Sequence, residues 1–350
     1  MKLAIVTDAW EPQVNGVVTT LKMTRETLVR QGHTVRVFEP SGFKSVPCPS
    51  YPEIRLALNP GGSLKKSLAS YGPEAVHIAT EGPMGLAARA LCKNKRWAFT
   101  TSYHTQFPEY IRKRYPVPLW ASYMFLRWFH SASACTMVGT PYMEKLMRLR
   151  GFENLARWPR GVDTKVFKPD KRASIPDPRP IWIYVGRVSV EKNIEAFLKL
   201  DLPGTKYVIG HGPAYHALRK AYREVRFVGY KFGEELAGYL AASDVFVFPS
   251  KTDTFGIVML EAMACGTPVA AYPVTGPIDV VQNRITGCLD KDLRQAALDA
   301  LELDPEDCRN QALEYMWESA TYMFLSNITP VINGRHVQEK GHSRQAGDSS

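Results

Sequence analysis

The chain is poor in the features that mark small metal-bound, disulfide-rich or low-complexity proteins. Its 350 residues include six cysteines, and no two of them form a Cys-x-x-Cys pair. Zinc ribbons and dense disulfide frameworks need closely paired cysteines, so this pattern indicates reduced thiols in the cytoplasm. Glycine and proline, at 25 residues each, are too few for a collagen-like chain. The 45% hydrophobic share is instead typical of a globular protein with a buried core.

Extended apolar stretches are also missing. The first apolar stretch ends at Asp8, which is too early for a secretory signal peptide. Residues 117–138 come nearest to a membrane span, but they contain Arg127, His130 and three serines. A spanning helix needs about 20 mostly apolar residues, so we expect no transmembrane segment.

Positive charge is concentrated in the first half of the chain. Residues 1–170 contain 24 Lys and Arg against 12 Asp and Glu, a net charge of +12, whereas residues 171–350 carry −2. Such an asymmetry indicates an anionic partner for the first half, either nucleic acid or an anionic membrane face. A basic surface that only keeps the protein dissolved is the simpler alternative.

Short apolar strands and amphipathic helices alternate in both halves of the chain. Residues 2–7 and 33–38 predict strands, and residues 17–30 between them have apolar positions at helical spacing. A second series of strands and helices runs from residue 181 to residue 271. This alternation predicts an α/β protein with two doubly wound domains, each built around a parallel sheet.

Changes in composition predict the domain boundaries. The polar, proline-rich residues 166–180 predict a linker between an N-terminal domain of residues 1–165 and a C-terminal domain of residues 181–310. Residues 311–330 have a helical pattern and are expected to pack back on the N-terminal domain. The polar residues 331–350 predict a disordered tail.

The segment of residues 248–269 contains the most specific motif. It predicts a buried strand, a polar loop with Asp253, a turn at Gly256 and a helix that carries Glu261. Amide groups at a helix N-terminus bind anions, and ligands of open α/β sheets bind beyond the carboxyl ends of the strands. A loop carboxylate can accept sugar hydroxyls, and a helix carboxylate beside a phosphate site can hold a ribose diol. A capping aspartate and an ordinary helix glutamate are the alternative for this pair.

This segment resembles the C-terminal signature of the retaining GT-B glycosyltransferases of family 4, also called group 1. The shared pattern is an acid, seven residues, a glutamate and then Ala-Met-Ala-Cys-Gly-Thr-Pro-Val, here residues 262–269. The form Thr-Asp-Thr-Phe-Gly at residues 252–256 is similar to the branch with GDP-mannose-dependent alpha-mannosyltransferases and bacterial diacylglycerol glycosyltransferases. Many members carry Glu where this chain has Asp253. The resemblance implies two Rossmann-like domains facing a cleft.

Further motifs extend the resemblance over most of the chain. The loop Gly-Arg-Val-Ser-Val-Glu-Lys-Asn at residues 186–193 matches the family's Gly-Arg-x-x-x-x-Lys-Asn, which implies that Arg187 and Lys192 hold the donor diphosphate. Asp253 would then bind the hydroxyls of the sugar. The positions that the resemblance assigns to donor binding are Asn15, Gly16, Gly212, Thr254, Phe255, Gly256 and Glu261.

A histidine motif completes the predicted catalytic set. Thr-Ser-Tyr-His-Thr at residues 101–105 resembles the family's motif at the end of a strand. The resemblance implies that His104 lies in the cleft, within reach of the transferred sugar. A buried structural histidine is the alternative.

Basic and aromatic residues occur together between residues 108 and 150. The basic residues are Arg112, Lys113 and Arg114, and two of the aromatic residues that follow are Trp120 and Trp128. This composition is typical of a surface that binds an anionic membrane. Core packing of a long helix is the alternative explanation for the aromatic residues.

These features predict a retaining glycosyltransferase that needs no metal and no cofactor. We expect it to move a hexose or a uronic acid from a UDP- or GDP-linked sugar to a membrane lipid such as diacylglycerol or to a lipid-linked glycan. It would then work in the cytoplasm, as a peripheral protein on the inner face of the cell membrane. A soluble acceptor is one alternative, and a phosphorylase-like enzyme with a pyridoxal cofactor is another. A nucleic-acid binder would need a stacking platform or a helix-turn-helix, which the sequence does not indicate, so no nucleic-acid partner is expected.

Overall fold

The computed structural model describes residues 1–48, 51–170 and 172–331, without the side chains of residues 51–53, 113 and 114. Fourteen strands are formed within these ranges. They are β1 Lys2–Val6, β2 Thr34–Phe38, β3 Ser45–Cys48, β4 Tyr51–Ala57, β5 Ala75–Ile78, β6 Thr100–Tyr103, β7 Cys135–Val138, β8 Leu155–Arg157, β9 Ile181–Val185, β10 Thr205–Ile209, β11 Arg226–Gly229, β12 Val245–Phe248, β13 Val269–Ala271 and β14 Gly287–Leu289.

Fourteen α-helices connect or flank the strands in the same described ranges. They are α1 Gly16–Arg30, α2 Gly61–Tyr71, α3 Pro83–Lys95, α4 Phe107–Arg114, α5 Leu119–His130, α6 Pro141–Leu149, α7 Ile194–Leu198, α8 Tyr215–Ala221, α9 Gly233–Ala242, α10 Ile257–Ala264, α11 Pro277–Val280, α12 Leu293–Ala300, α13 Pro305–Leu313 and α14 Trp317–Asn327. Helices α3, α4, α6, α11 and α13 have proline in the first turn, where no intrahelical partner exists for the missing amide.

The strands form two six-stranded parallel sheets, one in each half of the chain. The N-terminal order is β2-β1-β5-β6-β7-β8, and the C-terminal order is β11-β10-β9-β12-β13-β14. The chain order reverses at β1 in the first sheet and at β9 in the second, and ligands bind at such points in doubly wound folds. Strands β3 and β4 form a separate antiparallel hairpin. The prediction of two doubly wound α/β domains is confirmed.

Strand β9 explains why the strands could be recognised as unbroken apolar segments. Ile181, Ile183 and Val185 pack into one hydrophobic cluster, and Trp182 and Tyr184 pack into another on the opposite face. Helices cover both faces of a parallel sheet, so every side chain of a central strand is buried.

The chain passes between the domains at two neighbouring places. The amide of Val162 donates to the carbonyl of Tyr315 over 2.9 Å, so the outgoing and returning segments are paired. The predicted linker, residues 166–180, is attached to the C-terminal domain in its described part. The Phe167 side chain joins the core of that domain, and the Ala173 amide donates to the Gly238 carbonyl over 2.9 Å.

The single helix predicted for residues 311–330 is wrong. Helix α13 ends at Leu313 and helix α14 begins at Trp317, and Met316 between them has extended backbone angles and forms a parallel bridge with Val162. The helical periodicity is real on both sides of the break. Pairing with the segment around Val162 requires extended backbone there, and this tertiary contact interrupts the helix.

The last helix returns to the N-terminal domain, as the sequence predicted. Helix α14 contacts α1, and the Phe324 ring lies 4.7 Å from the Trp158 ring between their centroids. Val331, the first residue of the predicted tail, donates its amide to the Glu74 carbonyl over 2.7 Å. The rest of the predicted tail, residues 332–350, lies outside the described residues.

Among residues 1–48, 51–170 and 172–331, none of the helices is both long enough and apolar enough to cross a membrane.

Candidate active site

A cleft of about 1480 Å³ separates the two domains. The loops that follow β1, β6, β9 and β12 line it, because the carboxyl ends of both parallel sheets face the same crevice. All but one of the predicted catalytic and donor-binding residues lie in its lining. These are Asn15, Gly16, His104, Arg187, Lys192, Asp253, Thr254, Phe255, Gly256 and Glu261.

The exception is Gly212, which is not part of the cleft lining. A Cβ atom on Gly212 would lie 2.5 Å from the Val188 carbonyl oxygen, and one on Gly210 would lie 2.0 Å from the Gly186 carbonyl oxygen. Both glycines therefore support the loop that carries Arg187 from behind. Gly210 lines the cleft and Gly212 does not. The donor contact of Gly212 stays a prediction.

Lys192 and Asp253 form an ion pair in the cleft. The Lys192 ammonium donates to Asp253 Oδ1, and the two side chains are 23% and 14% exposed. Burial alone would lower the pKa of Lys192, but the negative charge of Asp253 outweighs it and holds the pKa above its ordinary value. The other carboxylate oxygen, Asp253 Oδ2, is buried and has no hydrogen-bond partner among the described residues. A polar ligand in the cleft could satisfy it.

Arg187 is held in the cleft by the loop that follows β9. The Tyr184 hydroxyl donates to the Arg187 carbonyl over 2.7 Å, which fixes the first turn of this loop. Arg187 and Lys192 thus approach the cleft from one loop of the C-terminal domain. A guanidinium fork and an ammonium placed together are well suited to bind two linked phosphates.

Helix α10 directs its first amides toward the cleft. Its N-cap is Gly256 at φ +86°, in the left-handed region that favours glycine, and no side chain caps the helix. Glu261 lies on the same helix at the cleft surface. Burial raises the pKa of Glu261 to about 7. This carboxyl group can therefore change protonation near neutral pH.

In the N-terminal domain, the loop after β1 meets the C-terminal domain directly. Asn15 Oδ1 accepts the amides of Val17 and Val18, both at 3.0 Å, so its side chain caps helix α1. A Cβ atom on Gly16 would lie 3.7 Å from Ile257 Cδ1, at the start of α10. The Asn15 side chain thus caps α1, and Gly16 lets the loop after β1 lie close to the start of α10.

Asp8 is a cleft residue that the motifs did not identify. Its carboxyl group accepts the amides of Met84 at 2.9 Å and Gly85 at 3.4 Å, and the Thr80 hydroxyl at 2.8 Å. Burial raises its pKa above the ordinary value in spite of these bonds. The side chain occupies the N-terminus of α3, and a Cβ on Gly82 would lie 2.5 Å from it. Two sequence signals could have identified this site. They are the acid that follows β1 and the Gly-Pro pair at the start of α3.

His104 has both ring nitrogens engaged within the protein. Arg160 Nη2 donates to Nδ1 over 3.1 Å, and Nε2 lies 2.8 Å from Ser102 Oγ. Because a guanidinium cannot accept a hydrogen bond, Nδ1 carries no proton and Nε2 donates to the serine. Burial and the charge of Arg160 hold the pKa of His104 well below its ordinary value. The ring is a neutral, fixed group. Its partner Ser102 belongs to the motif, whereas Arg160 lies outside it and was not predicted.

The aromatic stretch divides between core and surface. Tyr123 and Phe129 are buried, whereas Trp120 is 67% exposed and Trp128 is 51% exposed on the outer side of α5. Arg112 is exposed on α4. The side chains of Lys113 and Arg114, also predicted to face a membrane, lie outside the described residues. We call Trp120, Met124, Phe125 and Trp128 the α5 ridge, since all four are exposed.

A second aromatic group lies at the other side of the cleft. The Tyr230 and Phe232 rings are stacked with 5.7 Å between centroids and 21° between planes, and both line the cleft. Lys231 lies between them in the sequence and also lines it. The run Gly-Tyr-Lys-Phe-Gly at residues 229–233 was a signal for this group. Flat rings at a cleft edge can stack on a nucleobase.

Within the described ranges, no group of three or more His, Cys, Asp or Glu side chains is placed to hold a metal ion. The positive groups that line the cleft are side chains of the protein itself, among them Arg160, Arg187, Lys192 and Lys231.

Comparison with known proteins assigns both halves of the chain. Residues 14–166 match the model of Glycosyltransferase Family 4, and residues 179–303 match the model of Glycosyl transferases group 1. A GDP-mannose-dependent alpha-mannosyltransferase of Mycobacterium tuberculosis is 30% identical over 83% of both chains. A sulfoquinovosyl transferase of Arabidopsis thaliana is 31% identical over 85% of this chain, although the match spans only 64% of that relative. An alpha-monoglucosyldiacylglycerol synthase of Streptococcus pneumoniae is 23% identical over 94% of this chain and 84% of its own.

Solved structures share the fold. Sucrose-phosphate synthase of Thermosynechococcus elongatus superposes with a TM-score of 0.76 at 23% identity, covering 93% of this chain and 97% of its own. The Anabaena protein HepE, solved with UDP and glucose, gives a TM-score of 0.67 at 13% identity, covering 93% and 98%. With its motifs placed around one cleft, the chain belongs to the family 4, group 1 glycosyltransferases and is a GT-B enzyme that takes its sugar from a nucleotide sugar.

Proposed function

We propose that the protein transfers a hexose or a uronic acid from a UDP- or GDP-linked sugar to a lipid hydroxyl, with retention of the anomeric configuration. The observation that carries this proposal is the continuity of the cleft with the α5 ridge. Phe125 belongs to both, and the neighbouring Val117 and Leu126 line the cleft as well. An apolar path thus leads from an exposed aromatic surface to the predicted donor site.

The C-terminal side of the cleft is suited to bind the donor. Arg187, Lys192 and the uncapped N-terminus of α10 offer positive charge to a diphosphate, and they can stabilise it as it leaves. Glu261 can accept a ribose diol, and Asp253 can accept sugar hydroxyls. Because these protein groups supply the positive field, the proposed reaction uses no metal ion and no cofactor.

The acceptor hydroxyl needs a proton acceptor during transfer, and we assign this role to the donor phosphate. The acceptor oxygen bonds to the anomeric carbon, the bond from that carbon to the phosphate oxygen breaks, and the hydroxyl proton passes to the departing diphosphate. His104 is not suited to take the proton, because its Nδ1 already accepts from Arg160 and its Nε2 is protonated. It contributes as a neutral group beside the sugar.

The name of one relative supports a lipid acceptor, and the charge and exposed aromatic residues of the N-terminal half support a membrane location. One relative is by name a diacylglycerol glucosylating enzyme, and others are GDP-mannose-dependent mannosyltransferases. Residues 1–170, which include the α5 ridge, carry a net charge of +12. A basic surface with exposed tryptophans is favourable at an anionic leaflet. We therefore propose that the protein works as a peripheral enzyme on the inner face of the cell membrane.

A transfer assay tests the proposal. The purified protein is incubated with UDP-, GDP- and ADP-sugars in turn, together with either diacylglycerol in vesicles or soluble glycans. We expect one UDP- or GDP-sugar to be consumed, with the sugar recovered in the lipid extract, unchanged turnover in the presence of EDTA, and the donor's anomeric configuration in the product by NMR. Sugar recovered only on the soluble acceptors would contradict the lipid acceptor. Inversion would contradict the mechanism.

A further inference from the structure

The donor loop of the C-terminal domain is fastened to the N-terminal domain. Two hydrogen bonds and one further side-chain contact join the chain after β6 to the loop after β12, and they all fall within residues 104–110 on one side and 252–254 on the other. Thr254 Oγ1 donates to the His104 carbonyl over 2.6 Å, and Gln106 Nε2 donates to the Asp253 carbonyl over 3.5 Å. The Tyr110 side chain lies beside that of Thr252. The loop that presents Asp253 therefore takes its shape from both domains.

Tyr110 brings a hydroxyl group from helix α4 to the Lys192–Asp253 pair. Its side chain lines the cleft, and it lies close enough to both charged groups to interact with them electrostatically. Burial raises the pKa of Tyr110 above its ordinary value, so the hydroxyl keeps its proton and can donate. Asp253 Oδ2 nearby is buried and unpartnered within the described residues. The cleft thus holds one neutral donor and one anionic acceptor side by side.

We propose that Tyr110 is a donor-binding residue, contributed by the acceptor-side domain, that recognises a hydroxyl of the transferred sugar together with Asp253. A sugar hydroxyl is both a donor and an acceptor of hydrogen bonds, so it can donate to Asp253 Oδ2 and accept from the Tyr110 hydroxyl. This inference rests on the proposed function, because it requires a nucleotide sugar in the cleft. It adds a residue that lies outside the glycosyltransferase motifs.

Placing Tyr110 on the opposite domain has a specific consequence for recognition. The nucleoside diphosphate part of the donor can bind to the C-terminal domain through Arg187, Lys192 and Glu261 without help from α4. The sugar gains its contact with Tyr110 only when the domains are together, as they are in this structure. Removing the hydroxyl should therefore weaken binding of the nucleotide sugar and leave binding of the nucleotide alone unchanged.

The test compares two ligands on the same variants. The binding constants of UDP, GDP and the corresponding hexose-linked forms are measured by calorimetry for the wild type and for Tyr110→Phe. Tyr322→Phe, on the exposed side of α14, is the matched control. For Tyr110→Phe we expect affinity for the nucleotide sugar to fall about tenfold, as for the loss of one hydrogen bond to a bound ligand, with nucleotide affinity unchanged. Thr252→Val, which removes the hydroxyl beside Tyr110 and leaves Tyr110 intact, should shift affinity in the same direction by a smaller factor.

Each outcome decides between the explanations. Wild-type affinity of Tyr110→Phe for the nucleotide sugar overturns the proposed contact. Equal losses for nucleotide and nucleotide sugar also overturn it, because they indicate an altered loop and not a missing contact to the sugar. A wild-type protein that binds none of the nucleotide sugars contradicts the proposed function itself. Melting temperatures measured on the same samples identify a variant that has failed to fold.

Discussion

Individual side chains around the cleft have roles that depend on their partners. His104 is neutral and bonded at both nitrogens, and Lys192 is charged because Asp253 compensates its burial. Asn15 uses its amide oxygen to cap α1. The residue type alone permits several roles, and the hydrogen-bond partner selects one of them.

Arg187 and Lys192 should be needed for turnover. Replacing either by Ala removes a fixed positive charge from the predicted diphosphate site, and such losses reduce turnover by about 10²–10³. Initial rates with the best donor measure the effect. Lys199→Ala, which breaks an exposed pair with Glu195 near the same loop, is the control and should keep wild-type rates. Near-normal turnover of folded Arg187→Ala and Lys192→Ala would show that the loop is not the diphosphate site.

Glu261 should make stability depend on pH in a direction opposite to that of a salt-bridged acid. Burial raises its pKa to about 7 from 4.5, so between these pH values the unfolded chain loses its proton first and folding becomes less favourable as the pH rises. Glu261→Gln removes this penalty. We expect the variant to match the wild type at pH 4.5 and to exceed it by about 1–3 kcal/mol at pH 8, where part of the cost is screened at the cleft surface.

Denaturant unfolding of both proteins across this pH range measures the difference. Glu302→Gln, on an exposed turn, is the control and should show no such trend. A constant difference between Glu261→Gln and the wild type from pH 4.5 to 8 would mean that the carboxyl group titrates normally.

Strands and helices differ in how well the sequence defined them. A strand buried on both faces, such as β9, is recognisable as an apolar run with turn residues on both sides. The break between α13 and α14 was not recognisable, because the pairing of Val162 with Met316 joins residues that are far apart in the chain. For the same reason, motifs named Lys192 and Asp253 but gave no sign that they form a pair across 61 positions. The motifs named residues that the structure brings into the cleft, and the long-range contacts among them had to come from the structure.

Gly161 should be required where the two connecting segments pass each other. A Cβ atom there would lie 2.6 Å from the backbone nitrogen of Trp317 and 2.8 Å from its Cα, so neither segment can give way without moving backbone. We expect Gly161→Ala to destabilise the protein by about 1–3 kcal/mol. Gly62→Ala is the control, since nothing lies within 4 Å of its added Cβ in helix α2. It should be neutral or slightly stabilising in the same denaturant titration. Equal stability of Gly161→Ala and the wild type would contradict the close packing at this crossing.

The combined surface of the N-terminal domain should bind anionic membranes. Each basic residue near such a surface contributes about 1 kcal/mol, and salt screens this attraction. We expect the protein to pellet with anionic vesicles at low salt, to pellet less at high salt, and to remain in solution with neutral vesicles. Trp120→Ser combined with Trp128→Ser should weaken pelleting, whereas Tyr322→Ser, on α14, should not.

Equal and negligible pelleting under all these conditions would contradict membrane binding and favour a soluble acceptor. Pelleting that persists in the double tryptophan variant at wild-type levels would instead place the contact outside the α5 ridge.

The two domains resemble each other in architecture, and a pair of side chains makes them chemically unequal. In the N-terminal domain, the Asp8 side chain accepts hydrogen bonds from the first amides of α3, and the Asn15 side chain accepts them from the first amides of α1. In the C-terminal domain, no side chain of the described residues accepts a hydrogen bond from the first amides of α10. Of these three helix ends, only that of α10 has amides without a side-chain partner, within the described chain, for an incoming diphosphate. We therefore expect the nucleotide to bind with its diphosphate at the start of α10 and its sugar turned toward the N-terminal domain.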